Sequence, residues 1–390
     1  MESEAVSELL SRLPAKSLLR FESVSKGWRD LISDDTLRRL QCHRVKAVIS
    51  GFFFQTTMAF PCPTPVKYVN INNDQAVVQD TILDFLPEKV EIVASSNGLL
   101  CCHRNQELGE RVDNLIYVCN PSKKEYVQIE WPDGNDNHQY VALAFNPFRY
   151  PVDDLANFKV VSMSKEGMLT CLFHVYSSKS KEWRKLDVYK FGYDNRISWP
   201  DGQVVFASGV LYWLTNGNIL GFDVETEQPY FISLPVERIH KNSGLCEVCI
   251  GESEGRLHLI VICKAGLRVW ILGDGQKWVV KHWVSLSRIE KEYPHFLYTD
   301  AKINASLVPT NIVIPTWIEP VVYKDEILLI KLRHYFSFEN KELETGTKMY
   351  LYNFDTRKME ELFNIDKLGS CTGFLNAVPY SMSLAPLGSA

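Results

Sequence analysis

No stretch of this 390-residue chain approaches the roughly 18 consecutive apolar residues that a membrane-spanning helix requires. The N-terminal segment is acidic and amphipathic, so it also lacks the basic and apolar parts of a secretory signal peptide. The sequence therefore argues against membrane-spanning and secreted classes. We expect a protein of the cytoplasm, the nucleus or both.

The sequence also lacks an excess of positive charge. Lysine and arginine total 42, aspartate and glutamate total 47, and the net charge is -5. Proteins that bind nucleic acid through phosphate contacts need clustered Lys and Arg, so neither nucleic acid nor a membrane is an expected partner. The one basic cluster is predicted to be a solvated helix end that joins two modules, and it consists of Arg38, Arg39, His43, Arg44 and Lys46.

Motifs that carry catalytic or cofactor chemistry are missing as well. The chain has no P-loop, G-x-S-x-G, H-E-x-x-H or dinucleotide fingerprint. Its ten cysteines show no disulfide framework and are expected to be free thiols. Cys246 and Cys249 form a lone C-x-x-C, and in a strand this odd separation places the two sulfurs on opposite faces. We predict no catalytic residues, no metal and no cofactor.

Helical patterning is present, but only in the first 40 or so residues. The apolar residues of the first segment share one helical face: Val6, Leu9, Leu10 and Leu13. Pro14 cannot donate a backbone hydrogen bond, so this helix is expected to end before it. Short helical patterns return around residues 16–21 and 28–32, and a capped last turn then leads into Leu37. The pattern predicts three short helices.

So small a module cannot bury this much leucine and tryptophan among its own residues. Two alternatives follow for the apolar face that remains. It packs on the large domain that follows in the chain, or it binds an external partner.

The same segment resembles an F-box. The resemblance rests on the pair Leu13 and Pro14 and on residues 15–21 and 24–32, in that family's order and spacing. F-box helices bind a Skp-family adaptor, which links them to the cullin and RING subunits of a ubiquitin ligase. The chain departs from the family because the Leu-Pro pair that usually opens an F-box several residues before Val6 is absent. The resemblance implies that the adaptor contact and the small core beneath it are formed by Val6, Leu9, Leu10, Leu13, Pro14, Leu18, Leu19, Val24, Trp28 and Leu31.

Beyond residue 46 the sequence reads as a β-repeat. Short runs rich in Val, Ile, Tyr, Phe and Trp alternate with turn residues, and the first four copies recur about every 50 residues. Each copy has a strand, a turn with a second strand, and then a hairpin, which is the four-strand unit of a propeller blade. The predicted hairpins cover residues 116–127, 174–183, 220–227, 269–278 and 350–358.

One more blade must combine both ends of the repeat region. Strands near residues 48–54, 66–71 and 77–83 would pair with one at 373–384, which removes an open sheet edge. We predict a mainly β chain with a six-bladed propeller at residues 46–390 behind a helical module at 1–45, with five or seven blades as alternatives. The large domain resembles the F-box-associated propeller of plant F-box proteins, through residues 95–101, 119–122, 209–213, 219–223 and 378–384.

Loop length suggests which propeller face binds a target. The hairpin turns are short and lie on one face of such a disc, whereas the long connections, at residues 103–114, 132–139, 186–202, 235–244, 288–300 and 333–348, lie on the other. Exposed aromatic residues there could anchor a target protein. Alternatively, each one caps the core or closes the channel. The candidates are Tyr140, Tyr193, Trp199, Tyr293, His295 and Tyr335.

The leading hypothesis is therefore a non-catalytic receptor that holds an adaptor with its helices and a target protein with its propeller. A second is an adaptor-independent or decoy binding protein with a degenerate F-box. A third is a propeller enzyme, which would need side chains converging around the axis, and the sequence shows no sign of them.

Overall fold

In the computed structural model, the chain forms a small helical module followed by a β-propeller arrangement. The structure describes residues 2–57, 65–71, 78–79, 82–104, 115–131, 138–148, 157–167, 170–190, 204–215, 217–235, 247–263, 266–293, 316–338, 341–368 and 374–387. Within these ranges, four helices precede 25 strands, and one more α-helix, α5 (Leu286–Glu292), lies among the strands. The prediction of a mainly β chain with N-terminal helices is confirmed.

The helical module contains four helices where the sequence predicts three. The segment expected to be a last turn forms a helix of ten residues, because the Asp34 side chain accepts a hydrogen bond from the Leu37 backbone N–H at 3.1 Å and Leu37 is buried. Ser25 caps the preceding helix in the same way, with the Trp28 N–H as donor at 3.2 Å. The helices are α1 (Glu2–Leu10), α2 (Ala15–Phe21), α3 (Lys26–Ile32) and α4 (Asp35–Arg44).

Four sheets stand apart from one another. The closing sheet joins both ends of the β region in the order β25 (Phe374–Ser381), β1 (Ile49–Thr57), β2 (Lys67–Asn70) and β3 (Val78–Gln79). The first blade contains β4 (Val90–Ser96), β5 (Leu99–Arg104), β6 (Leu115–Asn120) and β7 (Glu125–Glu130). The second contains β8 (His138–Phe145), β9 (Phe158–Gly167), β10 (Thr170–Ser177), β11 (Glu182–Lys185) and the short β12 (Tyr189–Lys190). The third contains β13 (Val204–Ala207), β14 (Val210–Leu214), β15 (Asn218–Asp223) and β16 (Gln228–Ser233).

The remaining strands form a single eight-stranded sheet. They are β17 (Glu247–Ser253), β18 (Arg256–Cys263), β19 (Gly266–Leu272), β20 (Trp278–Val284), β21 (Thr316–Lys324), β22 (Ile327–Phe338), β23 (Lys341–Asn353) and β24 (Lys358–Asn364). Hydrogen bonding in the described residues therefore separates four single blades and one eight-stranded sheet, rather than the predicted six blades. The difference arises because β17 and β21 pair in parallel through Gly251 with Tyr323 and Glu252 with Lys324.

Repeated turns explain why the strands pair with their chain neighbours. Tight hairpin turns require residues in the left-handed backbone region, and these recur at matching places along the chain. In the turns between the first and second strands they are Asn97, Gly98, Ser208, Gly209, Glu254, Gly255, Asp325 and Glu326. In the turns between the third and fourth strands they are Lys124, Lys181, Glu227, Gln276 and Arg357. The five predicted hairpins are confirmed.

The core lies between adjacent sheets. Phe173 of the second blade and Phe222 of the third stack with ring centroids 4.9 Å apart. Phe53 of the closing sheet packs with buried residues of the first blade, and Phe54 packs edge-on against Phe363 of the eight-stranded sheet with centroids 5.1 Å apart. Successive sheets thus share apolar clusters around a closed ring.

Candidate functional site

The ten predicted adaptor residues divide by exposure. Leu9 is 69% exposed, Val24 is 67% exposed and Trp28 is 36% exposed, and Pro14 is exposed as well. They come from α1, the turn before α2, the turn before α3, and α3 itself. Together with Phe21 they form what we call the apolar patch.

Phe21 is a patch residue that the sequence argument did not select. Its ring lies 5.7 Å from the Trp28 ring, centroid to centroid, and it is 37% exposed. The sequence signal was present, because Phe21 ends an apolar stretch, but helical periodicity alone does not say which apolar residues of α2 face inward.

The other predicted adaptor residues lie in or against the core. Leu10 and Leu18 are buried. Leu9 and Leu10 are neighbours on α1 and point in directions about 100° apart, and here Leu10 faces the core while Leu9 faces solvent. Four further residues pack against the same cluster and are partly buried: Val6, Leu13, Leu19 and Leu31.

The buried side of the helices packs on the propeller. A single apolar cluster contains Leu18 and Leu37 of the helical module together with Leu99, Ile116 and Leu143 of the first and second blades. The first alternative for the apolar helical face, packing on the propeller, is therefore confirmed for the buried residues, while the apolar patch remains open to solvent.

The predicted basic cluster is not a solvated helix end throughout. Arg38 is only 5% exposed, which corrects that prediction. Its burial is possible because its donors are bonded to carbonyl and carboxylate oxygens. Arg44 pairs with Glu8 at 2.7 Å, within the helical module.

The helical module lies on the short-turn face of the propeller. Three ion pairs cross between the two: Glu22 with Lys123 at 2.6 Å, Arg38 with Glu125 at 2.6 Å, and Lys46 with Asp325 at 2.7 Å. Lys123 and Glu125 lie at the β6–β7 turn, and Asp325 lies in the β21–β22 turn. The opposite ends of these strands, such as Arg104 of β5 and Leu115 of β6, lie on the far face.

The six residues predicted to bind a target lie in different surroundings, and three of them are outside the described residues. Tyr193, Trp199 and His295 lie outside the described residues. Tyr335 lies in the distal part of β22, opposite Glu344 of β23. Tyr140 is partly buried, packs against the core between the second and third blades and lines the channel.

Tyr293 also packs against the core. Its hydroxyl accepts a hydrogen bond from the Met359 N–H at 3.0 Å and donates to the Arg357 carbonyl at 3.4 Å. Tyr293 therefore packs as the alternative for these aromatic residues predicted, with its side chain against the core.

Two segments predicted as long loops contain regular structure. Residues 333–348 are mostly the ends of β22 and β23, which pair as far as Phe338 and Lys341. Residues 288–300 begin inside α5. Period-two patterning is weak at both places, so the sequence argument could not separate a strand or a helix from a loop there.

The innermost strands surround a cavity of about 450 Å³. Carboxylates reach it from Glu91, Glu247 and Glu319, and Glu319 pairs with Lys331 at 3.2 Å. Burial raises the pKa of Glu91 and lowers the pKa of its cross-strand neighbour His103 to about 4. These groups make the wall of the cavity polar.

In the described part of the chain, no group of three or more His, Cys, Asp and Glu side chains is placed to hold a metal ion. Cys249 is buried, and Cys246, its partner in the C-x-x-C motif, lies outside the described ranges. Among the described helices, none is long and apolar enough to cross a membrane.

The fold and the apolar patch define a class, which is a helical binding module mounted on a β-propeller. The F-box domain family matches residues 2–40, and the F-box associated beta propeller domain family matches residues 57–310. The chain belongs to the F-box proteins with this propeller domain.

Relatives of this chain occur in Arabidopsis thaliana. One F-box protein is 31% identical over 310 residues, covering 75% of this chain and 80% of the relative. A second is 28% identical over 329 residues, covering 76% and 74%. An F-box/kelch-repeat protein is 24% identical over 293 residues, covering 70% and 75%.

Proposed function

We propose that this protein is the substrate-recognition subunit of an SCF-type E3 ubiquitin ligase. The F-box binds a Skp-family adaptor and through it the cullin and RING subunits, while the propeller binds the protein to be ubiquitylated. The receptor itself is non-catalytic and works in the cytoplasm, the nucleus or both. Membership of the F-box family supports the adaptor-binding part of this proposal.

The observation that carries the proposal is the apolar patch. Leu9 and Val24 are each more than two-thirds exposed, and the Phe21 and Trp28 rings lie beside each other at the surface. Large exposed apolar side chains that lie beside each other, as Phe21 and Trp28 do, are typical of interaction sites. Aromatic anchors of this kind supply much of the binding energy of an interface.

The relative placement of the two modules supports a target site on the far propeller face. The F-box contacts the short-turn face through Lys123, Glu125 and Asp325. An adaptor bound to the apolar patch would therefore leave the opposite face accessible. Loops on a rigid scaffold are suited to carry variable recognition residues.

We further propose that the β region is a six-bladed propeller of residues 46–390, behind an F-box of residues 1–45. The eight-stranded sheet would then be two blades. In support, residues from its two halves pack against each other in one apolar cluster, including Ile260 and Val269 from one half and Leu328 and Tyr350 from the other. Neighbouring blades pack face to face in the same way.

Adaptor binding can be tested with two valines of nearly equal exposure. Val24 is 67% exposed in the apolar patch, and Val48 is 65% exposed beyond α4. Val24→Asp should abolish co-purification with a recombinant Skp-family adaptor, because it places a charge in an apolar interface. Val48→Asp should leave recovery of the adaptor unchanged.

Equal recovery of the adaptor with both variants would remove the apolar patch as its binding site. Failure of the unsubstituted protein to bind any Skp-family adaptor would favour an adaptor-independent binding protein. Val24 is a cleaner probe than Leu13, because Leu13 packs against the core and a charge there would also unfold the helices.

A further inference from the structure

Residues 382–387, which follow β25, are called here the C-terminal tail. Two turns that adaptor binding does not explain contact it or lie against it: the turn of residues 119–122 and the Asn97-Gly98 turn. In the fold, the tail lies between the first blade and α4. Leu384 and Ala385 of the tail are fully buried.

Asn120 holds the tail to the propeller. Its side chain is fully buried, and its amide nitrogen donates to the Ser383 carbonyl at 3.1 Å and to the Ala385 carbonyl at 2.8 Å. Its amide oxygen accepts from the Ser122 N–H at 3.0 Å. A buried amide with its hydrogen-bonding groups used in this way fixes the backbone that it bonds.

Gly98 shows how closely the tail approaches the first blade. Its φ is +92°, and a Cβ placed there would lie 2.1 Å from the Ser383 Cβ and 2.9 Å from the Ser381 carbonyl oxygen. Only glycine leaves space for the tail at this point and also adopts this backbone conformation without strain.

Arg38 holds the tail to the F-box. Its Nε donates to the Leu384 carbonyl at 2.9 Å, and one terminal nitrogen donates to Glu125 at 2.6 Å and to the Ala385 carbonyl at 3.4 Å. A buried guanidinium is tolerated only when its donors are satisfied, so the position of α4 depends on the tail. The Cys42 thiol on the same helix lies 3.5 Å from the Ser383 hydroxyl.

Two other ionic links connect the same parts of the chain. The Lys46 side chain, paired with Asp325, is 41% exposed, and such a pair contributes little. Glu22 and Lys123 form a less exposed pair, but it is a single contact. The connection from Arg38 through the tail carbonyls to Asn120 involves several hydrogen bonds between buried residues.

We infer that the C-terminal tail is a joint that sets the orientation of the F-box relative to the propeller, and that Arg38 is a positioning residue within it. The existence of this joint follows from the contacts alone. Its role in the ligase rests on the proposed function: a fixed orientation would hold a bound target at a constant position relative to the adaptor.

The test measures the distance distribution between spin labels on the F-box and on the propeller of the full chain. Lys26 on α3 and Glu360 on β24 are exposed and suit labels introduced as non-canonical residues. Arg38→Ala should broaden a narrow distribution. Arg44→Ala is the matched control, because Arg44 lies on the same helix but pairs with Glu8 of the F-box.

Adaptor affinity of the unlabelled variants should stay within about twofold of the parent, since buried Arg38 lies outside the apolar patch. Asn120→Ala removes the hydrogen bonds that hold the tail to the propeller, so it should also broaden the distance distribution, and it leaves the F-box sequence unchanged. This variant replaces Arg38→Ala in the test if Arg38→Ala does not fold. Unchanged narrow distributions in Arg38→Ala and Asn120→Ala would overturn the joint. So would equal broadening in Arg44→Ala. Absence of adaptor binding by the parent protein would defeat the proposed function and leave the distance test unaffected.

Discussion

The F-box helices and the propeller blades solve the burial of apolar side chains in different ways. In the first blade, every residue of the central strand β6 is buried, because neighbouring sheets cover both of its faces. In the F-box, Leu10 is buried while the adjacent Leu9 is 69% exposed. A repeated unit can be closed by its own copies, whereas a module of about 44 residues needs covering from outside.

Both regions also bury polar side chains that have hydrogen-bond partners. In the F-box, Arg38 and Gln41 are buried, and the Gln41 amide donates to the Leu13 carbonyl at 3.1 Å. In the propeller, Asn120 and Glu326 are buried and hydrogen-bonded. The difference between the regions therefore lies in how completely their side chains are covered, and comparing buried residues with exposed ones of the same type can test it.

The largest expected effect is in the propeller core. Trp213 is 1% exposed, whereas Trp283 on the outer strand β20 is 60% exposed. Trp213→Ala should lower the free energy of unfolding by about 3–5 kcal/mol, because it removes buried area and leaves a cavity. Trp283→Ala should stay within about 0.5 kcal/mol. Urea denaturation followed by circular dichroism measures both, and similar losses would contradict the assignment of the core.

The next effect separates stability from binding in the F-box. Leu10→Ala should destabilise the helical module by about 2–5 kcal/mol, because Leu10 is 4% exposed. Leu9→Ala should leave stability nearly unchanged and weaken adaptor binding by about 1 kcal/mol or more. Hydrogen exchange of α1–α4 and calorimetry with a Skp-family adaptor measure the two quantities. Loss of stability in Leu9→Ala would show that its exposed position is wrong.

A smaller, acid-dependent effect concerns Glu326. Burial alone would raise the pKa of its carboxyl, but hydrogen bonds from Lys281, Ser253 and His282 outweigh burial and lower the pKa from 4.5 to about 2. The resulting stabilisation is present above about pH 4.5 and is lost as the pH falls towards 2. Glu326→Gln should therefore lower the melting temperature at pH 7 and not at pH 2.

A matched acidic residue in the F-box serves as the control for that pH series. The pKa of Glu8 is lowered by its hydrogen bonds to Arg12 and Arg44, but the pair is exposed and screened by solvent. Glu8→Gln should change the melting temperature less than Glu326→Gln at pH 7. A larger change in melting temperature for Glu8→Gln than for Glu326→Gln would contradict the expectation that the more buried carboxylate contributes more to stability.

Much of the local structure could be predicted from sequence. The hairpins such as residues 116–127 were predictable because alternating apolar residues and turn residues specify them within about a dozen positions. The length of α4 was missed because Arg38 and Gln41 are polar and lower its apparent amphipathicity, although both are buried. The end of β22 was taken for a loop because its residues lack a clear alternation.

The candidate site was less predictable than the helices that carry it. The spacing of Leu9 and Leu10 identified an apolar segment, but not which leucine would face outward. Tyr293 was predicted either to anchor a target or to cap the core, and only the structure shows its hydroxyl bonding to the backbone at Met359. Both outcomes depend on neighbours that are distant in sequence.

The sequence by itself determined the helical segments, the β-hairpin repeat and the family to which the chain belongs, because periodicity, turn chemistry and motif spacing are local properties. Only the tertiary structure decided which apolar residues stay exposed, that the F-box lies on the short-turn face, and that the tail joins Arg38 to Asn120. These features follow from contacts between residues that are distant along the chain, such as Arg38 with Glu125, 87 positions apart, and Asn120 with Ser383, 263 positions apart. No local pattern encodes such pairings, because burial and hydrogen bonding there are set by the packing of separate modules.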